Sequence, residues 1–529
     1  MERIREIERI IDNYHIDHPV FKLPREQALF NVLRLFEDGC RLSTIARLEK
    51  TGNPNEALSF IREYLDALSV TVKWIYRQCQ DITLDEIDFV LSEKDAYEAL
   101  HLLHDYAMPY SAICCGYIAY SRGYFTAKVD DNTNTVTFKS TDKQKKMFCA
   151  DIAETINSGN GTGFIPIEED VTSDLISSIH FENKRICYSI SDTIWNAFGA
   201  YPRAQWKCTR TLPDEWSFDC FSLEEYKETW IAITTLCYIH YFACLKSGTV
   251  GMANEDDVIL VDEKQFCNTI SQKSGVHENT VSRIMHYITY DPQIKNNDII
   301  YQPIVGLCND KVCIAPHLFL ASRPERNLIS LICKKKDTHY SLLSNTLEKT
   351  MQDEIDKQLD ALNNIKIVHN IHLDASLPDV DYGIFDYQTN SAIICELKWL
   401  TETDSPQEVF AREEDIEHGC SQISSIMTYA IHDVPSFINK VFGIKSEFID
   451  LFYCVVSKNN IRSITGNVPV ISESKFIETL TKSQINNGFH AIRNYEFIES
   501  LPSECKIDSQ PVEYAGYTFD IPALITYIP

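Results

Sequence analysis

The sequence has little positive charge. Lysine and arginine number 49 against 76 aspartate and glutamate residues, and the net charge is −27 at pH 7. Nucleic acids attract basic surfaces, so a chain this acidic binds them only where basic residues gather locally. Any nucleic-acid site in this protein therefore needs a basic segment beside it.

The sequence also lacks the paired cysteines of a zinc site. Cys114 and Cys115 are adjacent, and Cys308 and Cys313 lie five positions apart without a second pair, although the chain has 18 cysteines. Structural zinc sites built on cysteine need two close pairs of ligands. Several cysteines lie within apolar runs, namely Cys237, Cys244, Cys395 and Cys454. We therefore expect reduced, buried cysteines in a cytosolic protein.

No stretch of the sequence is apolar and long enough to indicate a membrane span or a secretion signal. The chain begins with the charged residues Glu2 and Arg3, and its longest apolar stretch runs from Trp230 to Leu245. About 20 apolar residues are needed to cross a bilayer. The region from Glu224 to Leu245 instead predicts one long buried helix, and we expect a soluble, cytoplasmic protein without a membrane partner.

Motifs for nucleotide hydrolysis are absent as well. Gly159, Gly161 and Gly163 alternate with other residues as in some phosphate-binding loops, but no Lys-Ser or Lys-Thr pair follows them. A phosphate-binding loop needs that pair for its phosphate and its metal ion. A flexible loop is the better interpretation, and an ATP-driven enzyme is not indicated.

The chain length predicts a multidomain α+β protein. A domain typically holds about 100–200 residues, and this chain has 529. Residues 1–115 have the apolar spacing of helices, 116–255 mix helices with a hairpin at 124–138, and 256–333 form a third region. An acidic turn marks the boundary near 255. Residues 334–529 form a C-terminal α/β domain.

The third region contains two short helical segments around a glycine turn. Apolar spacing between 265 and 288 predicts the two helices, and the string resembles the helix-turn-helix of transcription regulators. The resemblance implies that Thr280, Ser282 and Arg283 reach the bases of a nucleic acid, and a wing-like hairpin is predicted at 299–315. Two packed helices with a glycine turn are also common scaffolding, and one arginine is a thin DNA-binding face.

The pattern that indicates chemistry lies in the C-terminal third. Apolar residues every three or four positions predict a helix over 343–362, with Glu348 at the edge of its apolar stripe. A hairpin follows, in which one strand starts at Asp381 and the next, apolar strand carries Glu396 and Lys398 near its end. Residues two apart share a face of a strand, so Glu396 and Lys398 project together.

Two carboxylates brought together by this hairpin indicate a metal site. Asp381 and Glu396 would repel each other, and burying them costs several kcal/mol unless a cation compensates. Oxygen ligands with room for water and phosphate suit Mg²⁺ or Mn²⁺. Such an ion lowers the pKa of a bound water and stabilises the charge that grows on a phosphate. Lys398 would orient that water.

These residues resemble the PD-(D/E)xK nuclease superfamily, which has a restriction-endonuclease-like fold. Its members carry an acidic helix, an Asp-bearing strand and a Glu-x-Lys strand in that order, and Glu348, Asp381 and Glu396 to Lys398 match it. The resemblance covers about 335–500 and implies metal-dependent phosphodiester cleavage. It implies catalysis by Asp381, Glu396, Lys398, Glu348 and Gln422, with Mg²⁺ or Mn²⁺ on Asp381, Glu396 and the carbonyl of Leu397.

Two assignments within this pattern stay open. Asp379 directly follows Pro378, as the superfamily's name has it, and rivals Asp381. We prefer Asp381 because a strand continues directly from it. On the helix Glu354 rivals Glu348, which we prefer for its place one turn before a methionine of the apolar stripe.

The residues on either side of the pattern differ in charge. Between 322 and 349 six basic residues face three acidic ones, and they would form a phosphate-binding rim or merely a solvated linker. Between 400 and 417 the net charge is −6, and we expect that loop to shield the site or to point away. The six basic residues are Arg323, Arg326, Lys334, Lys335, Lys336 and Lys349.

We therefore expect a metal-dependent nuclease that acts on nucleic acid, DNA rather than RNA. A homo-oligomer or a partner protein would supply the positive surface that the site's surroundings lack. A large non-catalytic region fused to such a domain resembles restriction and antiphage defence effectors, which is an analogy alone. The alternative is a nucleic-acid-binding or regulatory protein whose nuclease-like domain is inactive.

Overall fold

The computed structural model of the protein describes thirteen stretches of the chain. They are residues 2–51, 54–82, 93–142, 167–182, 185–208, 212–247, 255–335, 340–401, 406–446, 449–458, 468–482, 484–498 and 505–526. The glycines at 159, 161 and 163 lie outside them, and so do the residues at 402–405.

Helices and strands are mixed along these residues. The helices are α1 (Glu2–Asn13), α2 (Arg25–Thr51), α3 (Pro54–Gln78), α4 (Glu93–His101), α5 (Met108–Ser121), α6 (Glu169–Ser178), α7 (Asp192–Cys208), α8 (Leu223–Lys246), α9 (Glu263–Ser274), α10 (Glu278–Ile288), α11 (Pro316–Leu320), α12 (Pro324–Lys335), α13 (Tyr340–Leu359), α14 (Pro406–Ala430), α15 (Val434–Phe442), α16 (Glu473–Thr481) and α17 (Ile485–Arg493). Two 3₁₀ helices (Pro19–Lys22 and Glu255–Asp257) and a π-helix (Leu102–Ala107) add to them. The strands are β1 (Phe125–Asp130), β2 (Thr135–Ser140), β3 (His180–Glu182), β4 (Arg185–Cys187), β5 (Ile259–Asp262), β6 (Ile304–Leu307), β7 (Lys311–Ile314), β8 (Ile365–Ile371), β9 (Val380–Asp386), β10 (Ser391–Lys398), β11 (Asp450–Ser457), β12 (Val470–Ser472), β13 (Cys505–Tyr514) and β14 (Tyr517–Thr526).

The chain divides into two compact units. The first holds residues 1–114, 160–339 and 512–518, and the second holds the rest of the chain. The multidomain α+β class predicted from the sequence agrees with this mixture. Residues 115–159, which sequence order places in the middle region, belong to the second unit together with the C-terminal domain.

The first unit is built mainly from helices around a small sheet. Helices α2, α3 and α4 and the π-helix share one core with the three-stranded sheet of order β5-β7-β6. Helix α8 begins at a capping box between Ser222 and Glu225 and is buried on most of its surface. The long buried helix predicted for this region is therefore confirmed. Among the described residues, every helix is too short or too polar to cross a lipid bilayer.

The acidic turn near 255 lies inside the first unit rather than at a domain boundary. Asp256 and Asp257 are buried in a 3₁₀ turn, and Asp257 forms an ion pair with the equally buried Arg41. Nε2 of His240 lies 2.6 Å from the main-chain oxygen of Asp256. A run of acids predicts an exposed turn only where no distant cation pairs with it.

The second unit contains a five-stranded sheet of order β12-β11-β10-β9-β8. Strands β8, β9 and β10 are antiparallel neighbours, whereas β10, β11 and β12 run parallel. Side chains of β10 alternate between two cores: Ile393, Cys395 and Leu397 pack on the α13 side, and Ala392 and Ile394 on the α14 side. Glu396 and Lys398 therefore share the α14 side, as the period of two predicted.

A second sheet in this unit joins distant parts of the sequence. Strands β1 and β2 form the predicted hairpin, and β2 lies beside the C-terminal strand β14 in the order β1-β2-β14-β13. Oγ1 of Thr137 donates to Oδ2 of Asp520 at 3.3 Å. Local patterning predicts the hairpin of β1 and β2, but it gives no sign that β2 pairs with β14.

The acidic stretch before Gly419 is helical, contrary to the loop predicted from its charge. Helix α14 already begins at Pro406, because a proline suits the first turn of a helix, where its missing N–H is not needed. Glu413 is buried on this helix, and Glu414 pairs with Arg122 at 3.3 Å. The acids are therefore part of the helix that borders the site.

Candidate active site

The open end of the β9–β10 hairpin forms the candidate site. The ladder between the two strands ends at the pair of Tyr382 and Cys395, although both strands continue beyond it. There the backbone N–H of Leu397 donates to Oδ2 of Asp381 at 2.9 Å. A side chain thus replaces the main-chain ladder and holds the Asp381 carboxyl at the end of β10.

Glu396 and Lys398 meet a glutamine from α14. Nζ of Lys398 donates to Oε1 of Glu396 at 2.6 Å and to Oε1 of Gln422 at 3.1 Å. The side chain of Glu396 is 1% exposed and that of Lys398 is 17% exposed. The structure therefore brings these three predicted residues together at a site that is still open on the lysine's side.

Helix α13 contributes Glu348 and an amide. Burial and the charge of Asp381 raise the pKa of Glu348, while Lys398 lowers it, so this carboxyl lies within electrostatic range of both groups. Four positions later Gln352 donates from Nε2 to the main-chain oxygen of Asp381 at 3.2 Å. Residues four apart share a helix face, so α13 presents a carboxyl and a positioning amide together.

Gln352 reaches Asp381 because β8 is distorted opposite it. Strands β8 and β9 pair on both sides of Asn370, but Asn370 itself has a φ of 48°. Nε2 of Gln352 also donates to Oδ1 of Asn370 at 3.1 Å. A left-handed residue turns the main chain out of the ladder, so the oxygen of Asp381 is left for the glutamine.

Gly419 allows α14 to approach the ion pair closely. A Cβ at Gly419 would lie 3.0 Å from Cε of Lys398 and 3.4 Å from Cγ of Glu396. Well-packed side chains have little room to move away from such contacts. A larger residue at this position would therefore displace the lysine.

The site holds more negative than positive charge. Burial and the charge of Asp381 raise the pKa of Glu396 to about 7 against the influence of Lys398. Burial also raises the pKa of Asp381, although the N–H of Leu397 and the charge of Lys398 act in the opposite direction. Burial without enough compensating charge disfavours an ionised carboxyl. Among the described residues, three carboxyls share one lysine here.

The donor atoms at this point fit a hard divalent cation. Oε2 of Glu396 is buried and has no hydrogen-bond partner in the described part of the chain, which is costly unless something else satisfies it. The carbonyl of Leu397 points to the same side of β10 as its N–H, toward Asp381. Carboxylate and carbonyl oxygens are the ligands that Mg²⁺ and Mn²⁺ prefer.

Asp379 lies at the edge of this arrangement. It precedes β9, its side chain is half exposed, and its Oδ1 lies 2.7 Å from Nδ1 of His372. Asp381 instead accepts the N–H of Leu397 at the end of β10. The geometry therefore favours Asp381 over Asp379 as the strand carboxylate.

Glu354 belongs to a separate cluster of ion pairs. Nζ of Lys458 contacts the carboxyls of Glu354 and Glu473, and the backbone N–H of Lys458 donates to the oxygen of Lys398 at 3.0 Å. This cluster stabilises the end of β10 but contributes no group to the site itself. The geometry therefore favours Glu348 as the helix carboxylate.

Two basic residues of α12 that are predicted to form a phosphate-binding rim pack against other groups of the first unit. Arg326 is 4% exposed, and its guanidinium lies 5.1 Å from the centre of the Tyr301 ring. Nζ of Lys334 donates to the carbonyl of Asn296 at 2.9 Å. Arg326 lies on the face of α12 that is part of the interior, whereas Lys334 is half-buried. The exposed rim predicted there is therefore wrong for Arg326.

The remaining members of that basic segment differ in exposure where they are described. Lys335 packs over the ring of Tyr287 at 4.5 Å, and Arg323 is half-buried. Lys349 is exposed on α13 next to Glu348. Lys336 lies outside the described residues. All but Lys349 belong to the first unit, because the division falls at residue 339.

Helices α9 and α10 form the predicted pair around Gly275, whose φ is 75°. Ser282 and Arg283 are exposed, but Thr280 is 6% exposed, which corrects its prediction as a base contact. It lies four and eight positions before two core isoleucines and therefore shares their buried stripe. Nε of Arg283 donates to the oxygen of Asn279 at 3.2 Å, so its guanidinium lies along its own helix.

The wing-like hairpin is present as β6 and β7, and it packs onto the first unit. Asn309 and Asp310 have φ values of 55° and 54°, which is typical of a tight hairpin turn. The backbone N–H of Cys308 donates to Oε2 of Glu26 at 3.0 Å. The tip of this hairpin is therefore held by α2 rather than projecting from the surface.

Three residues around the site escaped the sequence analysis. Gln352 lies four positions after Glu348, so helical spacing alone could have found it. Gly419 lies one turn before Gln422, but nothing local shows which side chains it faces. Lys458 follows β11, and only the parallel pairing of β11 with β10 brings it to the end of β10, next to the site.

Comparisons with known proteins return no match: no protein-family model, no curated protein and no solved structure matches this chain. The features that indicate the chemistry of the site are therefore its own residues. These are a buried oxygen-rich end of a hairpin, a lysine held over it, and one carboxyl and one amide from two flanking helices.

Proposed function

We propose that the second unit is a metal-dependent nuclease that hydrolyses phosphodiester bonds. The observation that carries the proposal is the convergence of Asp381, Glu396, Lys398 and Gln422 at one end of the hairpin. Glu348 joins them from α13. The residues come from four separate elements, and they are the five that the resemblance to the PD-(D/E)xK superfamily implies.

The order of the elements supports the same proposal. Helix α13 precedes the antiparallel strands β8, β9 and β10. Helices α14 and α15 then connect β10 to β11, and β11 pairs with β10 in parallel. The resemblance implies a core of one helix, a mixed sheet and a second helix. We therefore propose a restriction-endonuclease-like core for this unit.

A divalent cation, Mg²⁺ or Mn²⁺, would be held by the carboxylates of Asp381 and Glu396 and by the carbonyl of Leu397. When bound, it lowers the pKa of a coordinated water and offsets the charge that develops on the phosphate. It would also compensate the excess of negative charge among the buried carboxyls.

Lys398 has the geometry to position the attacking water. An ammonium group carries three donors, and two of those on Nζ are used by Glu396 and Gln422. The third is left for a water or for a phosphate oxygen. Because both partners fix the ammonium, that third donor has a defined direction, which favours a reactive arrangement.

The site needs positive surface from elsewhere to hold a polyanion. Arg326, Lys334 and Lys335 are packed, and Glu414 and Glu417 are exposed on α14, five and two positions before Gly419. We therefore propose that DNA is bound productively by a homo-oligomer or together with a partner protein. A role as an antiphage defence or restriction-type effector is the biological setting that this arrangement suits by analogy.

A metal-titrated cleavage assay tests the proposal. Full-length protein stripped with EDTA is given Mg²⁺, Mn²⁺ or Ca²⁺ and four substrates: single- and double-stranded DNA and RNA. We expect cleavage with Mg²⁺ or Mn²⁺ that is lost in Glu396→Gln and Lys398→Met but kept in Lys357→Met, an exposed lysine of α13. Cleavage that persists in both site variants would place the activity elsewhere.

The second candidate function is a nucleic-acid-binding or regulatory protein with an inactive nuclease-like unit. The helix pair α9–α10 favours it, since Ser282 and Arg283 are exposed on the second helix. Binding of any of the four substrates without cleavage under any metal would support this alternative. Loss of that binding in Arg283→Ala would then assign it to the helix pair.

A further inference from the structure

Two histidines and a glutamate gather in the first unit. His18 caps the 3₁₀ helix Pro19–Lys22, and Glu98 and His101 lie three positions apart on α4. Residues three apart share a helix face, so α4 presents both side chains to His18. One ligand atom from each of the three lies within 4.8 Å of the other two.

The distances suit a tetrahedral metal ion. Nε2 of His18 lies 3.3 Å from Nδ1 of His101 and 3.9 Å from Oε2 of Glu98. Zinc–nitrogen bonds of about 2.0–2.1 Å separate two nitrogens of a tetrahedron by roughly 3.3 Å. The two imidazoles therefore have the spacing of neighbouring ligands, and the carboxylate oxygen lies slightly farther out.

The surroundings of His101 favour metal binding through Nδ1. Its other nitrogen, Nε2, faces Oδ2 of Asp105 at 3.4 Å. A carboxylate on the far nitrogen of a histidine fixes the tautomer and strengthens the metal-binding nitrogen. His101 would thus be a metal ligand, and Asp105 would be the outer carboxylate that orients its ring.

The surroundings of His18 differ from those of His101. The ring of His18 is buried, and its Nε2 is the atom that faces both other ligands. Binding through Nε2 places the ring proton on Nδ1 and gives up the contact with the N–H of Val20. That contact is 3.4 Å long, which is long for a hydrogen bond.

One side of the cluster faces solvent and a cavity. The side chain of His18 is 1% exposed, whereas those of Glu98 and His101 are 22% and 32% exposed. A cavity of about 570 Å³ is lined by His101, Asp105 and the turn Glu513–Thr518. Catalytic zinc sites have three protein ligands and one open position, whereas structural sites have four protein ligands.

The helix itself is unusual directly after His101. Residues Leu102–Ala107 form a π-helix. Such turns are rare and are frequently found at functional sites. The π-helix places Asp105 and Tyr106 against His101, and the Tyr106 ring lies 5.2 Å from the imidazole.

We propose that His18, Glu98 and His101 bind a zinc ion, with a water or a ligand from the cavity in the fourth position. Two imidazoles and one carboxylate suit Zn²⁺, whereas the all-oxygen site of the second unit suits Mg²⁺. The proposal does not depend on the nuclease function. It assigns a second metal, of a different chemical class, to the first unit.

Another group in this unit has to be separated from it in the test. His180, Glu182 and Cys187 lie on the short hairpin β3–β4 with two of their side chains exposed. A metal bound there would carry a thiolate ligand. Co²⁺ bound to thiolate has a strong charge-transfer absorption in the near ultraviolet, which Co²⁺ bound to nitrogen and oxygen lacks.

The experiment compares metal content and Co²⁺ spectra of full-length variants. Protein stripped of metal is reloaded with Zn²⁺ or Co²⁺, dialysed and analysed by mass spectrometry and visible absorption. We expect His101→Ala and Glu98→Gln to bind one equivalent of metal less than the wild type. They should also lose tetrahedral Co²⁺ bands, and the bands that they lose should not include a thiolate charge-transfer absorption. His286→Ala, an exposed histidine of α10, serves as the control and should match the wild type.

Affinity measurements make the test quantitative. Asp105→Asn should weaken Zn²⁺ binding about tenfold, as removal of an outer carboxylate does. Zn²⁺ should raise the unfolding temperature of the wild type but not of His101→Ala. If His101→Ala is unfolded without metal, His101→Gln replaces it. Equal zinc content in wild type, His101→Ala and Glu98→Gln would show that the histidines are only hydrogen-bonded to each other, and would overturn the proposal.

Discussion

Among the described residues, the buried histidines belong to the first unit, whereas the candidate site of the second unit buries carboxylates beside a single lysine. Burial lowers the pKa of His15, His18 and His240 to about 4, so these rings are neutral at pH 7. In the second unit, burial raises the pKa of Glu396 and Glu413 to about 7. The same physical effect, the cost of a buried charge, thus gives neutral rings at these histidines of the first unit and raised carboxyl pKa values at the candidate site of the second.

The difference teaches what each unit can do with a metal ion. A neutral imidazole is a ligand for zinc without further cost, whereas crowded carboxylates are relieved by a hard cation that their oxygens can surround. We therefore expect the acidic site of the second unit to be less stable without a bound cation. The predictions below test this contrast between the two units.

The largest effect is expected at the strand carboxylate. Asp381→Asn should lower the rate of cleavage on the order of 10³-fold, since a metal ligand and its charge are lost. Asp379→Asn is the matched control, because Asp379 pairs with His372 instead, and it should stay within about threefold. Rates from both variants at saturating Mg²⁺ decide between them, and equal losses would contradict the assignment.

The helix carboxylate provides the next test. Glu348→Gln should reduce cleavage about 10- to 100-fold, because the carboxyl lies within electrostatic range of Asp381 and Lys398. Glu354→Gln makes the same change on the same helix, where the side chain pairs with Lys458, and should leave the Mg²⁺ dependence unchanged. A stronger effect at Glu354 would reverse the choice of helix residue.

Stability without metal should increase when a carboxyl of the acidic site is neutralised. At pH 8 Glu396 is ionised although its pKa is raised to about 7, so Glu396→Gln should stabilise the metal-free second unit by about 1–2 kcal/mol. Mg²⁺ should then stabilise the wild type but not the variant. Hydrogen exchange of the β9 and β10 amides measures both effects, and a destabilised variant would contradict the crowding of charge.

Close packing at Gly419 should matter for activity more than for folding. Gly419→Ala favours the helix by its higher intrinsic propensity, but its Cβ would lie 3.0 Å from Cε of Lys398. We expect about tenfold slower cleavage, about 1.4 kcal/mol in the barrier. Far-ultraviolet circular dichroism should be unchanged. Gly443 at the end of α15 provides the contrast, because its φ is 66° and a substitution there would strain the backbone rather than displace a site residue.

The smallest effect concerns the pH dependence of the first unit. His240 has a folded pKa of about 4, lowered by burial, and an unfolded pKa near 6.5, so its stabilising effect is present above pH 6.5 and is lost as the pH falls toward 4. The free energy of unfolding should therefore fall less steeply with decreasing pH in His240→Gln than in the wild type, by up to about 1.4 kcal/mol per pH unit. Urea unfolding at pH 7, 6 and 5 measures it by tryptophan fluorescence, since five of the six tryptophans belong to this unit. An unchanged slope would mean that His240 does not titrate in this range.

Much of the candidate site could be predicted because its pieces are local. The apolar stripe that positions Glu348 repeats within one helix, and Glu396 and Lys398 share a strand face by the period of two. A short hairpin then brings Asp381 to the same end. Each inference spans a few residues, where backbone geometry alone fixes the neighbours.

Charge counted along the sequence was a poorer guide. Asp257 belongs to an acidic run, yet it is buried against Arg41, more than 200 positions earlier in the chain. Arg326 belongs to a basic run, yet it packs on Tyr301. Whether a charged side chain is buried or exposed depends on the partner that tertiary packing brings to it. The charges along a stretch of sequence do not identify that partner.

The sequence by itself determined the residue types, the helix and strand periods, and the hairpin that joins Asp381 to Glu396 and Lys398. Only the tertiary structure decided that Glu348 rather than Glu354 lies beside them, and that His18 meets His101 across 83 positions. Periodicity acts over one or two turns of backbone. Contacts between residues far apart in the sequence depend on how the apolar faces of all helices and strands are buried together, and this arrangement exists only in the folded protein.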